Sequence, residues 1–197
     1  REDTGIGTDW LTPICHRMLY FDIPSVALPF MLRADRGRLL EREWERSLGR
    51  RLTTSFTNLL VDERKGWLPS LIFSPMVVED GRQLTISNLD LQRALVNEGS
   101  ELAARSGVLS RSGYEFFKLF PKADAFRLST AARMSSSVGY LLPSVPLPTN
   151  PVRRVVDAGY YDNYGVQIAG AWLDVYRDWI RANFSGVLFV QIRDSLS

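Results

Sequence analysis

Apolar residues recur at four-residue spacing from Leu40 through Trp44 and Leu48 to Leu52, with Leu39 beside them. That spacing draws one stripe along a helix over residues 35–52, and Asp35 stands where a capping side chain belongs. The other face is charged, with Arg36, Arg38, Arg42, Arg46, Arg50 and Arg51 against Glu41, Glu43 and Glu45. A solvated face laced by pairs three residues apart, such as Arg38 with Glu41, accounts for this pattern, with an anionic surface as the alternative partner.

Strand-like runs follow at residues 71–78 and 84–86, on either side of Glu79-Asp80-Gly81. The Asp-Gly pair predicts a hairpin turn, and Pro75 makes the first strand an edge or an irregular one. Asn88 is placed to cap a short helix through Leu91 and Leu95 that stops at Gly99. Tyr114, Phe116, Phe117, Phe120 and Phe126 then cluster around Leu119 and Pro121. Core packing explains such a cluster, with the lining of an apolar groove or a lid as the alternative. Small residues dominate from Phe126 to Val138, as expected where a helix passes close to another backbone. Pro143, Pro146, Pro148 and Pro151 make the next segment an extended loop.

Residues 152–156 read as a short buried strand ending in Asp157. Residues 166–183 read as a helix with Ala169, Trp172, Leu173, Tyr176 and Ile180 on one face. Gly186 stops it, and residues 186–192 form a last strand. This alternation, with near-continuous apolar strands, predicts an α/β layered domain with a largely parallel sheet flanked by helices. Residues 1–197 form one domain with neither repeat nor linker, and both ends read as cut from something longer.

Composition narrows the chemistry. At 197 residues, 45% apolar and 23% charged, the chain has the balance of a globular domain rather than a disordered one. A net charge of +2 from 24 basic and 22 acidic residues gives no electrostatic case for nucleic acid. Cys15 is the one cysteine, so neither an intrachain disulfide nor a multi-thiolate metal site is possible, and His16 is the one histidine. No apolar run approaches the roughly 20 residues of a membrane span. The expected location is the cytoplasm or the periphery of a membrane.

Asp157 closes a predicted strand and precedes a glycine turn and a helix, the position at which α/β sheets present functional groups. Gly159 lets the chain turn tightly, and Asn163 offers a side chain to hold the turn or cap the helix. The stretch Asp157-Ala158-Gly159-Tyr160-Tyr161-Asp162-Asn163-Tyr164-Gly165 resembles the Asp-Gly-Gly or Asp-Gly-Ala motif of patatin-like phospholipases. The small-residue helix from Leu128 to Ser137 and the Tyr140-Leu141-Leu142-Pro143 loop resemble the elements leading into that motif, and the segments at Asp35–Trp44 and near Leu71 are similar to bacterial members.

What the resemblance implies is a serine-dependent lipid acyl hydrolase of the phospholipase A or lysophospholipase type, in which Asp157 is the catalytic base of a Ser-Asp dyad. A lipid ester would be the substrate and a membrane surface a partner, with no cofactor and no metal. The chain departs from the family in two ways. Ala158 stands where glycine is usual, which matters only if that backbone needs a positive φ. The Gly-x-Ser-x-Gly elbow and the glycine-rich oxyanion loop occur nowhere in residues 1–197, so the chain is expected to be the C-terminal portion of such a domain, incomplete at its N-terminal side and inactive alone. Ser110 and Ser112, near Gly107 and Gly113, have the wrong spacing for the elbow and read as loop residues.

In the implied mechanism the serine attacks an ester carbonyl while Asp157 takes its proton directly, which requires the carboxylate to be partly desolvated. Backbone amides of the missing loop would stabilise the oxyanion. Asp162 would tune Asp157 or serve an exposed turn or helix N-terminus. Cys15 and His16 are adjacent, but neighbouring side chains point apart, and a structural role is expected. The rival readings are a catalytically inactive patatin-like scaffold or membrane-surface domain, and a nucleotide-binding α/β domain, which lacks a glycine-rich phosphate loop here.

Overall fold

A computed structural model describes residue 9 and residues 11–23, 35–96 and 113–192. The expected stop at Gly99 and the serines Ser110 and Ser112 lie outside them. Helix α1 (Leu11–Arg17) runs on into a π-helical turn, Met18–Asp22. Helix α2 (Arg36–Leu48) starts at the expected cap, where the Asp35 side chain accepts from the Gly37 and Arg38 N–H groups. It ends before Leu52, because Gly49 takes φ 56° and ψ −134°, and the chain resumes as α3 (Arg50–Thr53). Ser55 caps α4 (Phe56–Arg64) by accepting from Asn58 N–H at 3.3 Å.

The turn at Asp80-Gly81 forms with Gly81 at φ 66°. Val77 N–H donates to the Arg82 carbonyl at 2.8 Å. Strands β1 (Met76–Val77) and β2 (Leu84–Thr85) flank it. Pro75 has no N–H to donate, and the pairing beyond the turn reduces to single bridges, Phe73 with Ile86 and Met76 with Gln83. Helix α5 (Gln92–Val96) takes its first amide bond from Asp90 rather than Asn88. The Asn88 side-chain amide instead donates to the Phe56 carbonyl at 2.8 Å and the Glu63 carboxylate at 3.1 Å, tying α4 to this segment.

Strand β3 (Tyr114–Glu115) leads into α6 (Phe116–Leu119), α7 (Leu128–Ser135), β4 (Val145–Pro146) and β5 (Arg154–Val156). Strand β5 is central, with Val155 opposite both Val77 of β1 and Val145 of β4. Helices and small sheets occur together, so the fold is a mixed one of helix and strand, but the two do not alternate regularly. The largely parallel sheet is not what the described strands form: β5 is antiparallel to both neighbours, and only β2 and β3 run parallel. Residues 147–153 join β4 to β5, too short a link for the long crossover that parallel neighbours need. Strand β4 sits in the proline-rich segment expected to be a loop, as an edge strand, where proline is tolerated.

The C-terminal helix divides at Tyr176 into α8 (Val166–Val175) and α9 (Arg177–Asn183). Its packed face is Ile168, Ala171, Trp172 and Val175, set on Leu91, Ala94 and Leu95 of the α5 region; of the face that the periodicity suggested, Trp172 takes part and Ala169 and Leu173 do not. Residues 186–192 join no ladder among the described residues, and Val187, Leu188, Phe189 and Val190 are exposed. Both edges of β5 are occupied, so the central strand offers this segment no place.

The main core gathers Phe56, Val77, Leu84, Ile86, Phe116, Met134 and Val155. Burying each such side chain contributes roughly 1.5–3 kcal/mol. Ser129 of α7 is fully buried against α2, the close approach that the small residues predicted, while Ala131 is fully buried in the main core. Glu41 and Glu45 of α2 face α7: Ser129 Oγ donates to Glu45 at 2.7 Å, Thr130 donates to Glu41, and the buried Arg133 guanidinium reaches Asp35 at 2.9 Å and Glu41 at 3.1 Å. The expected Arg38–Glu41 pair does not form; Arg38 lies 3.6 Å from Asp35 instead. Among the described residues no helix is long and apolar enough to cross a membrane.

Candidate functional site

Asp157 follows the last residue of β5, where the strand gives way to a 3-10 turn, Ala158–Tyr160. Its backbone is extended (φ −46°, ψ 142°), and its N–H donates to the carbonyl of Ser137 at 3.1 Å. Ser137 is wholly buried just beyond α7, and its hydroxyl donates to the Arg133 carbonyl at 2.7 Å. The end of α7 therefore fixes the main chain of Asp157 from outside its own loop.

The side chain is fixed from inside the loop. Gly159 N–H donates to Asp157 Oδ1 at 2.6 Å, a short bond of the kind charged acceptors make. A Cβ on Gly159 would stand 2.6 Å from that oxygen, so any larger residue there would displace the carboxylate. Oδ2 accepts no hydrogen bond, and no cation pairs with the carboxylate, among the described residues. Asp157 is half-buried. One oxygen is thus anchored and the other is open.

Ala158 is accommodated, since its φ is not positive and it starts the 3-10 turn. The left-handed residue of the motif is Gly165, at φ 67°, immediately before α8. Asp162 is 6% exposed, and its Oδ2 accepts from Gln167 N–H at 3.0 Å and Ile168 N–H at 3.1 Å. It caps α8, the helix N-terminal role expected, but from a buried and not an exposed position. Asn163 is exposed and makes no such cap; Asp162 has taken that place because both α8 amides converge on it.

A groove of about 540 Å³ is walled by Phe116, Phe120 and Phe126 of the aromatic cluster, by Thr130 and Met134 of α7, and by Val145, Leu147 and Pro148. The cluster therefore serves the core and also lines a cleft. Asp157 is not in its wall; the two are joined through α7, which carries Met134 on one side and leads to Ser137 on the other. Cys15 is half-buried, and His16 leaves it to stack on Tyr20 with ring centroids 4.5 Å apart.

At the other end of β5 lies a polar cluster that periodicity did not signal. Tyr114 Oη donates to Asp80 Oδ2 at 2.7 Å, and Arg153 reaches the same oxygen at 2.9 Å. Arg82 donates to the Tyr114 hydroxyl at 3.0 Å. Burial alone would raise the Asp80 carboxyl, but the Tyr114 hydroxyl, the Arg82 N–H and the two guanidinium groups together hold it below the ordinary aspartate range. The cluster pins the 79–81 turn against β3 and β5.

No family model, no curated protein and no solved structure matches this chain.

Proposed function

We propose that this chain supplies the base of a serine-dependent lipid acyl hydrolase, with Asp157 as one half of a Ser-Asp dyad and the nucleophilic serine in polypeptide outside it. The observation that carries the reading is the mounting of Asp157, with its main chain bonded to Ser137, Oδ1 bonded to Gly159 N–H and Oδ2 open. A serine hydroxyl brought to Oδ2 would give up its proton there as the oxygen attacks the ester carbonyl. Histidine has no part in this step.

The apolar groove supports a lipid substrate. Its volume of about 540 Å³ lies within the roughly 300–1,000 Å³ typical of small-molecule sites, and its walls suit an acyl chain. In this reading the antiparallel strands around β5 are the margin of a larger layered sheet whose parallel strands lie outside the chain.

The test is Asp157→Asn in the full-length parent. Ester hydrolysis is expected to vanish with the circular dichroism spectrum unchanged; retained turnover would sink the assignment. A parent that no fluorophosphonate labels would point to the inactive scaffold instead.

A further inference from the structure

The turn closing α4 carries an exposed aromatic side chain and two cations that the site above does not use. Arg64 and Lys65 end the helix, and Gly66 reverses the chain at φ 72°. Gly66 N–H donates to the Glu63 carbonyl at 3.0 Å and Trp67 N–H to the Asp62 carbonyl at 3.0 Å, the paired bonds of a Schellman motif. In that motif the residue at the Trp67 position ordinarily packs back on the residue at the Asp62 or the Val61 position. Here the first is a carboxylate and the second is itself exposed. Trp67 stands 74% exposed, with Leu68 also exposed.

Two carboxylates match the two cations in number, but Asp62 and Glu63 are half-buried while Arg64 and Lys65 are exposed. Among the described residues neither Arg64 nor Lys65 makes an ion pair, and the Lys65 ammonium sits 4.8 Å from the Trp67 ring centroid. The neighbouring Glu63 carboxylate turns inward to Asn88 and Ser70. The tip therefore offers an indole and two unpaired cations on a backbone fixed by its own hydrogen bonds. Indoles concentrate where an apolar phase meets water, and lysine and arginine bury their stems while keeping their charge among anionic groups.

We propose that this turn, residues 64–68, docks the protein on an anionic lipid bilayer, with Trp67 in the interfacial layer and Arg64 and Lys65 against lipid phosphates. Charge complementarity selects a bilayer of that kind over a zwitterionic one. The acyl-hydrolase reading gives such docking a purpose, and docking is measured without turnover. Failure of hydrolysis therefore leaves it standing, and failure of docking leaves the Asp157 test intact.

The experiment is co-sedimentation of the full-length parent with phosphatidylcholine vesicles containing or lacking phosphatidylglycerol. Wild type is expected to bind the anionic vesicles and to release as salt is raised. The double variant Arg64→Ala, Lys65→Ala is expected to bind about 25-fold more weakly, about fivefold per charge. Trp67→Ala should lose roughly tenfold or more, and Leu188→Ala, exposed elsewhere, should lose nothing. All four positions are exposed, so dichroism should confirm an unchanged fold. Wild type that ignores anionic vesicles, or variants that bind as wild type does, would overturn the proposal. So would a concentration-dependent dimer, seen by light scattering without vesicle binding, that Trp67→Ala dissolves.

Discussion

Replacing Gly159 by alanine probes the Asp157 carboxylate without touching it. The Gly159 backbone is not left-handed, so the substitution adds a methyl group and no backbone strain. That methyl would lie 2.6 Å from Asp157 Oδ1 and 3.1 Å from Asn163 Oδ1, where comfortable contact is about 3.5–4.0 Å. The carboxylate must swing away, and the 2.6 Å bond from Gly159 N–H is lost with it. A hydrogen bond to a charged group contributes about 1.5–3 kcal/mol. If that bond orients the base, kcat falls by about 10- to 150-fold at 1.36 kcal/mol per decade. The assay is initial rates on a short-chain chromogenic ester with the full-length parent, with dichroism on the same samples. KM should stay within about twofold, because substrate binding is not altered. A kcat within about threefold of wild type would refute the view that this contact orients the base.

Two further substitutions test the frame around the site. Arg133→Met strands Asp35 and Glu41, which Arg133 contacts at 2.9 and 3.1 Å. Breaking a fully buried pair costs about 3–5 kcal/mol, here trimmed to about 2–3 because both carboxylates keep some solvent. With a urea slope near 2 kcal/mol/M the midpoint should fall by about 1 M, and a shift under about 0.2 M would contradict the reasoning. Tyr114→Phe removes the hydroxyl bonded to Asp80. The Asp80 carboxyl is held below its ordinary value, so it stabilises the fold above about pH 4 and that contribution is lost as pH falls further. Without the hydroxyl its proton affinity rises and the acid-unfolding midpoint should move to higher pH; an unmoved midpoint in an acid titration followed by dichroism would count against the cluster.

Local signals were legible where one residue decides the geometry. Asp35 announced α2, Asp80-Gly81 announced its turn, and Asp157 was placed at a strand end before a glycine turn. What escaped depended on partners distant in sequence. Asn163 and Asp162 are equally good caps on paper, and only the convergence of the Gln167 and Ile168 amides selects Asp162. Glu41 and Arg38 are correctly spaced for a pair, yet Arg133, far along the chain, takes Glu41. Strand direction is likewise a property of connections and not of apolar runs, so the same valines that suggested a parallel sheet pair antiparallel through Val155.

The Arg133 guanidinium has a mechanical consequence. Asp35 holds Arg133, the Arg133 carbonyl holds the Ser137 hydroxyl, and the Ser137 carbonyl holds the Asp157 N–H. The main chain of the aspartate is braced from the start of α2 as well as from its own loop. A cut between α2 and α7, or a change as remote as Asp35, would leave the motif from Asp157 to Gly165 intact in sequence and its carboxylate wrongly aimed.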